Sequence, residues 1–193
     1  MEVLFFIKKY SDVVTALSAV VVSCVAIYGL REWKRQTKGK TDYEIARRYL
    51  KSALNLRDSI TYVRNPFISI NEMQTALKEH GFSEDEYSDN MKKNMAVYST
   101  RWKKVQEAQT NLEIELLEAE VSWGAEAVRV SRKLSSLTRK LFAELQMYIS
   151  GYRQNIKDEL IYNQGDFDNP DDFSIKLNEG IEEIREFLKP HLL

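Results

Sequence analysis

Two histidines, one cysteine and two acidic clusters are the groups in this 193-residue chain whose types suggest chemistry. His80 precedes Gly81 and His191 lies close to the last residue. Neither stands with a pair of carboxylates at the spacing a helix-borne metal or acid–base site needs. Glu113, Glu115, Glu118 and Glu120 suggest a di-iron carboxylate bundle, but that chemistry takes Glu-x-x-His pairs and the sequence has none. They read as a solvated helix face. Asp166, Asp168, Asp171 and Asp172 suggest a calcium loop, yet counting from Asp166 puts Asp171 where the loop needs Gly and Leu177 where it needs Glu. That stretch reads as a turn followed by a helix N-cap. Cys24 is alone, so neither an internal disulfide nor a Cys-based metal site is available. The patterns Gly-x-Ser-x-Gly, Gly-x-Gly-x-x-Gly and Gly-x-x-x-x-Gly-Lys-Ser/Thr are absent. We assign no catalytic, cofactor-binding or metal-binding residue and expect no enzyme and no cofactor.

The elements that carry these residues are long. Seven Gly and three Pro in the whole chain leave few turn formers, which predicts few, long helices. Charge is unevenly distributed behind a formal net of −1. Residues 31–64 hold ten Lys or Arg against four Asp or Glu, whereas residues 65–193 hold sixteen against twenty-three.

Val13–Leu30, "VVTALSAVVVSCVAIYGL", lies directly before the basic part and has no charged residue, His, Asn, Gln or Pro. As a helix it reaches about 27 Å, close to the hydrocarbon thickness of a bilayer. Thr15, Ser18 and Ser23 fit such a span because a hydroxyl can bond back to its own helix. Tyr10 near one end, and Tyr28 and Trp33 near the other, are placed as interfacial aromatics. A buried core helix would show a polar stripe, and a cleaved signal peptide would show a small-x-small site where Tyr28, Leu30 and Arg31 stand. An uncleaved transmembrane anchor is therefore expected in residues 1–30, with a cytoplasmic helical body over 31–193. Arg31, Lys34, Arg35, Lys38 and Lys40 follow the span and only Lys8 and Lys9 precede it, so the positive-inside rule puts the body in the cytoplasm. The same five residues can attract anionic lipid headgroups at about 1 kcal/mol each. A topology signal without a specific lipid is the simpler reading.

The body reads as helix throughout, giving an all-α fold. Tyr43, Ala46, Leu50, Ala53, Ile60 and Val63 recur at helical steps until Asn65-Pro66 stops the segment. Ser69-Ile-Asn-Glu72 and Ser83-Glu-Asp-Glu86 are capping-box patterns. Met95, Tyr98, Trp102, Val105, Gln109, Leu112, Leu116 and Ala119 form a heptad-like seam. A second seam runs through Ala127, Val130, Leu134, Leu137, Leu141, Leu145, Tyr148 and Tyr152. A last helix spans about Asp172–Lys189. Segments 31–64, 84–121 and 125–162 would measure about 51, 57 and 57 Å, which predicts an elongated antiparallel bundle or coiled-coil rod of three long helices plus shorter ones. In that rod Gly124 breaks the chain between two long helices, and Trp123 either marks the membrane-proximal end or packs the corner.

Arg47, Arg48, Lys51, Arg57 and Arg64 could line a phosphate-binding face, but pairing with acidic residues across the bundle is the preferred reading, so nucleic acid is not an expected partner. The segments "REWKRQTKGKTDYEIARRYLKSALNLRDSITYVRNPF" and "EAEVSWG" resemble a set of uncharacterised bacterial proteins with one N-terminal membrane helix and a helical cytoplasmic region. The resemblance implies a single-pass protein of the bacterial inner membrane and supplies no reaction. Two function classes follow. One is a non-catalytic tethered scaffold that recruits a cytoplasmic protein partner or self-associates as a homo-oligomer. The other is a membrane-active effector, such as a toxin or antiphage component.

Overall fold

The computed structural model describes residues 2–82, 89–150, 160–162, 165 and 169–192. Every regular element among the described residues is helical: α1 (Glu2–Val63), α2 (Ile70–Glu79), α3 (Asn90–Trp123), α4 (Ala125–Ile149) and α5 (Asp172–Leu188), followed by one 3-10 turn, Lys189–His191. The chain divides into two units, Met1–Tyr43 and Glu44–Leu193.

The first unit is helical, and no side chain whose burial is described in it is buried. Residues 13–30 are all exposed, and through residue 43 only Glu32 and Asp42 are even half-buried. One helix near the N-terminus is thus long and apolar enough to cross a membrane, and none of its most apolar window is buried.

In the second unit the end of α1 packs with α3, α4 and α5 around one apolar core. Tyr49, Leu56 and Ile60 meet Leu112, Leu134, Leu141, Leu145 and Ile184 there, all at 1% exposure or less. α3 and α4 form an antiparallel hairpin. At its open end Asn94 Nδ2 donates to Tyr148 Oη at 2.8 Å, and the Tyr98 and Tyr148 rings meet edge-on at 5.8 Å. At its closed end stands Gly124, with φ 78° and ψ −171°, a conformation reserved for glycine. Gly124 therefore breaks the helix. α5 crosses α4 where Gly180 leaves room: a Cβ built there would meet Leu134 N at 3.5 Å. α2 forms a satellite cluster, Ala76 and Leu77 on Ala96 and Val97 of α3.

Caps explain the helix ends. Ser69 accepts from Glu72 N at 3.2 Å and opens α2. α2 closes in a Schellman turn, Phe82 N to Leu77 O and Gly81 N to Lys78 O, both 3.1 Å, with Gly81 at φ 72°. Asp89 caps α3 by accepting from Met91 N at 2.8 Å, and α3 opens at Asn90; the expected start at 84 lies outside the described residues. The Ser83–Glu86 capping box, Tyr152 and the extension of α4 to 162 fall mainly outside the described residues. Asp171 is the N-cap of α5, the role its place in the acidic stretch predicts.

Candidate functional site

The apolar segment Val13–Leu30 has its serine and threonine hydroxyls internally satisfied. Thr15 Oγ1 donates to Ser11 O, Ser18 Oγ to Val14 O and Ser23 Oγ to Ala19 O, each at 2.8 Å. Such back-bonds hide a hydroxyl inside its own helix, so the outer surface of Val13–Leu30 is apolar. Cys24 lies exposed within it. Tyr10, Tyr28 and Trp33 are 68%, 72% and 61% exposed, and helical rise separates Tyr10 from Trp33 by about 35 Å. Those positions suit rings at the two faces of a bilayer about 30 Å thick.

Arg31, Lys34, Arg35, Lys38 and Lys40 are all exposed on α1. At 100° per residue the first four share one face, at i, i+3, i+4 and i+7, whereas Lys40 falls opposite. Arg35 also donates to Glu32 Oε1 at 3.0 Å, and Gln36 donates to the same oxygen at 3.2 Å. The one-sidedness was readable from the spacing alone.

Trp123 belongs to the second unit. It ends α3, half-buried, with its ring stacked on His191 at 4.2 Å and 18° and edge-on to Phe187 at 6.0 Å. This tryptophan packs the corner between α3, α4 and the C-terminal turn, and His191 contributes a ring to that packing. His80 is the C-cap of α2.

The basic residues after the flank are largely paired. Arg48 Nε donates to Glu115 Oε2 at 2.9 Å and its Nη2 contacts Glu118, so two glutamates of the Glu113–Glu120 cluster serve an interhelical ion pair rather than a free face. Arg57 pairs with its neighbour Asp58 at 2.7 Å. Arg64 and Arg101 are buried, each at 1% side-chain exposure. Arg101 Nε and Nη2 grip the Glu72 carboxylate at 2.7 and 2.9 Å, and its Nη1 and Nη2 donate to Asn65 O and Phe67 O at 2.6 and 2.7 Å. Tyr62 Oη donates to Glu72 Oε1 at 2.7 Å. The hydrogen bond from Arg101 is the main reason the Glu72 carboxyl is held below its ordinary range. Every nitrogen of this guanidinium has a partner, and its four hydrogen bonds fix the α1–α2 connection to α3. Arg101 carried no signal in the seam pattern, although aromatic residues within helical reach, such as Tyr98, were a hint.

Among the described residues no group of three or more His, Cys, Asp or Glu is placed to hold a metal ion. No protein-family model matches the chain, and no curated protein or solved structure matches it.

Proposed function

We propose that the chain is a membrane-anchored, non-catalytic helical scaffold whose body recruits a protein partner or self-associates. The observation that carries this reading is the fully exposed, charge-free surface of Val13–Leu30, bounded by aromatic residues and followed by five exposed cations. A soluble protein would have to cover eighteen uncharged, mostly apolar residues in a row; lipid covers them without a partner. The basic flank supports a cytoplasmic body, and the resemblance of residues 31–67 to bacterial single-pass proteins supports an inner-membrane location. The antiparallel α3–α4 hairpin supports an extended bundle with coiled-coil-like seams. Ala16, Ser18, Ala19 and Ser23 would allow close helix approach inside the bilayer if the anchors associate. Tethering raises the effective concentration of a captured partner at the membrane surface.

Cell fractionation tests the reading. The full-length protein should sediment with membranes, resist alkaline carbonate and be released by detergent; recovery in a detergent-free supernatant would overturn it. Induced expression with a membrane-potential dye separates the scaffold from the effector class: an unchanged potential supports the scaffold, and rapid depolarisation would replace it with a membrane-active effector.

A further inference from the structure

The C-terminal half of α3 carries a second apolar stripe on the side turned away from the core. Ile114, Leu117 and Val121 stand at i, i+3 and i+7 and are 52%, 64% and 89% exposed, whereas Leu112, Leu116 and Ala119 of the same turns are buried. Glutamates border it. On the helical wheel Glu113 and Glu120 lie along one edge, and Glu107 and Glu118 along the other. From Gln106 to Val128 the sequence holds six Glu and no Lys or Arg. Arg48 compensates Glu115 and Glu118, and Arg129 compensates Glu126. Glu107, Glu113 and Glu120 have no cationic partner among the described residues; Glu113 accepts only from Gln109 Nε2, at 3.0 Å.

We infer that this face is a docking surface for a basic amphipathic helix of a partner protein, a deepening that rests on the scaffold reading above. Charge complementarity selects that occupant. A second copy docking the same face would bring Glu113 and Glu120 against their own counterparts, and like charges at the edges of a helix seam oppose pairing. A helix with leucine-type residues in its seam and Lys or Arg on the flanks covers the stripe and neutralises both edges. Ile114 to Val121 spans about 11 Å along the axis, so about two turns of the partner engage.

The test uses the full chain in nanodiscs of zwitterionic lipid, with empty nanodiscs as the blank. The probe is a model amphipathic helix of Leu and Lys, with a Leu and Glu helix of the same pattern as control. The wild type should bind the Lys helix and not the Glu helix. Leu117→Ser with Val121→Ser, and separately Glu113→Lys with Glu120→Lys, should each weaken binding by about tenfold or more, the loss expected of central seam residues and of edge reversal. Circular dichroism and a thermal melt confirm that these surface variants stay folded. Equal binding by wild type and both double variants would overturn the proposal. So would self-association of the wild type, seen by sedimentation, that Leu117→Ser with Val121→Ser abolishes, because the face would then be an interface between copies. Failure of the tethering reading shows differently, as full chain that does not co-elute with nanodiscs, and the same titrations then run on the chain in solution.

Discussion

Arg64, just past the last turn of α1, donates from Nη1 and Nη2 to the two carboxylate oxygens of Asp171, the N-cap of α5, at 3.2 and 2.5 Å. The same guanidinium donates to Leu160 O at 2.7 Å and lies 4.3 Å from the Phe173 ring centre. Asp171 Oδ1 in turn accepts from Ser174 N at 2.8 Å, so one carboxylate serves as both ion-pair partner and helix cap. Two elements far apart in sequence are thereby pinned at one point. Removing one member of such a buried pair leaves the other charge without compensation.

Asp171→Ala should lower unfolding free energy by about 3–5 kcal/mol, the cost typical of a broken buried pair. Asp171→Asn keeps a cap acceptor and should cost less, about 1–3 kcal/mol, as for a weakened hydrogen bond to a charged group. Urea unfolding of the detergent-solubilised chain, followed by circular dichroism, measures both. Equal stability of wild type and Asp171→Ala would mean the pair is not formed in solution.

Acid should act through the same carboxyl. Burial alone would raise its pKa, but hydrogen bonds from Arg64 and Ser174 outweigh burial and lower it to about 2 from an ordinary 3.8. The unfolded chain then takes up the proton at higher pH than the folded one. The contribution is fully present above about pH 3.8 and is lost as pH falls through about 2. Wild type should therefore lose stability more steeply than Asp171→Asn across that window. Urea midpoints measured from pH 5 to pH 2 should converge at the acid end, and parallel curves would rule the linkage out.

Two glycines should respond to alanine with opposite signs. Gly124 needs φ 78° and ψ −171°, which a Cβ disfavours by about 1–3 kcal/mol. Gly180 is an ordinary helical residue whose added Cβ would make only normal contacts, the nearest at 3.5 Å from Leu134 N. Helix propensity there favours alanine by up to about 1 kcal/mol. Gly124→Ala should lower the melting temperature and Gly180→Ala should raise it. A neutral Gly124→Ala would mean that the α3–α4 corner adopts another turn.

What the sequence disclosed follows from which physical signals are local. Apolar continuity and hydroxyl back-bonding depend on one helix, and Thr15, Ser18 and Ser23 behave as their positions predict. The α4 seam was equally legible: Ala127, Val130, Leu134, Leu137, Leu141 and Leu145 are all buried. On α3 the pattern assigned Met95 and Gln109 to the seam, but Met95 is 38% exposed and Ala108 is the buried residue next to Gln109. On α1 it chose Leu50 where Tyr49 is fully buried, because a one-residue rotation is not resolved by spacing when both neighbours are apolar. The buried arginines were illegible for a different reason. Arg64 and Arg101 are inside because acceptors on distant segments meet them there, and no window of the chain contains both halves of either cluster. The same holds for Arg48, whose glutamates sit 67 and 70 residues away.

Tyr49 offers a direct probe of that long-range register. Its Oη donates to Ala127 O at 2.9 Å from a fully buried position, and burial pushes the phenol pKa well above its ordinary value. Ala127 O lies in the first turn of α4, so this bond fixes how α1 meets the α3–α4 corner. Tyr49→Phe removes the donor and keeps the ring. It should cost about 1–2 kcal/mol in urea unfolding, because a buried hydroxyl bond is lost while the packing is retained. Tyr43→Phe, at a 45% exposed ring, should change nothing measurable and serves as the control.

On the proposed membrane-anchor reading, Val13–Leu30 separates packing from polarity. Because Thr15, Ser18 and Ser23 donate their hydroxyl protons to their own backbone, those protons are not free for a polar contact between helices. The triple change Thr15→Val, Ser18→Ala, Ser23→Ala should leave carbonate-resistant membrane retention and oligomeric state unchanged. Val21→Arg tests the opposite property. It places a charge at the middle of Val13–Leu30, on a residue 60% exposed with no polar group to receive it. Insertion of such a segment is disfavoured by about 2.5–3.5 kcal/mol, enough to move a large share of the protein into the carbonate-soluble fraction. Loss of oligomers in the hydroxyl-free variant would point instead to interhelical hydrogen bonds within the bilayer. Full retention of Val21→Arg would mean that this face of the helix meets water or protein rather than lipid.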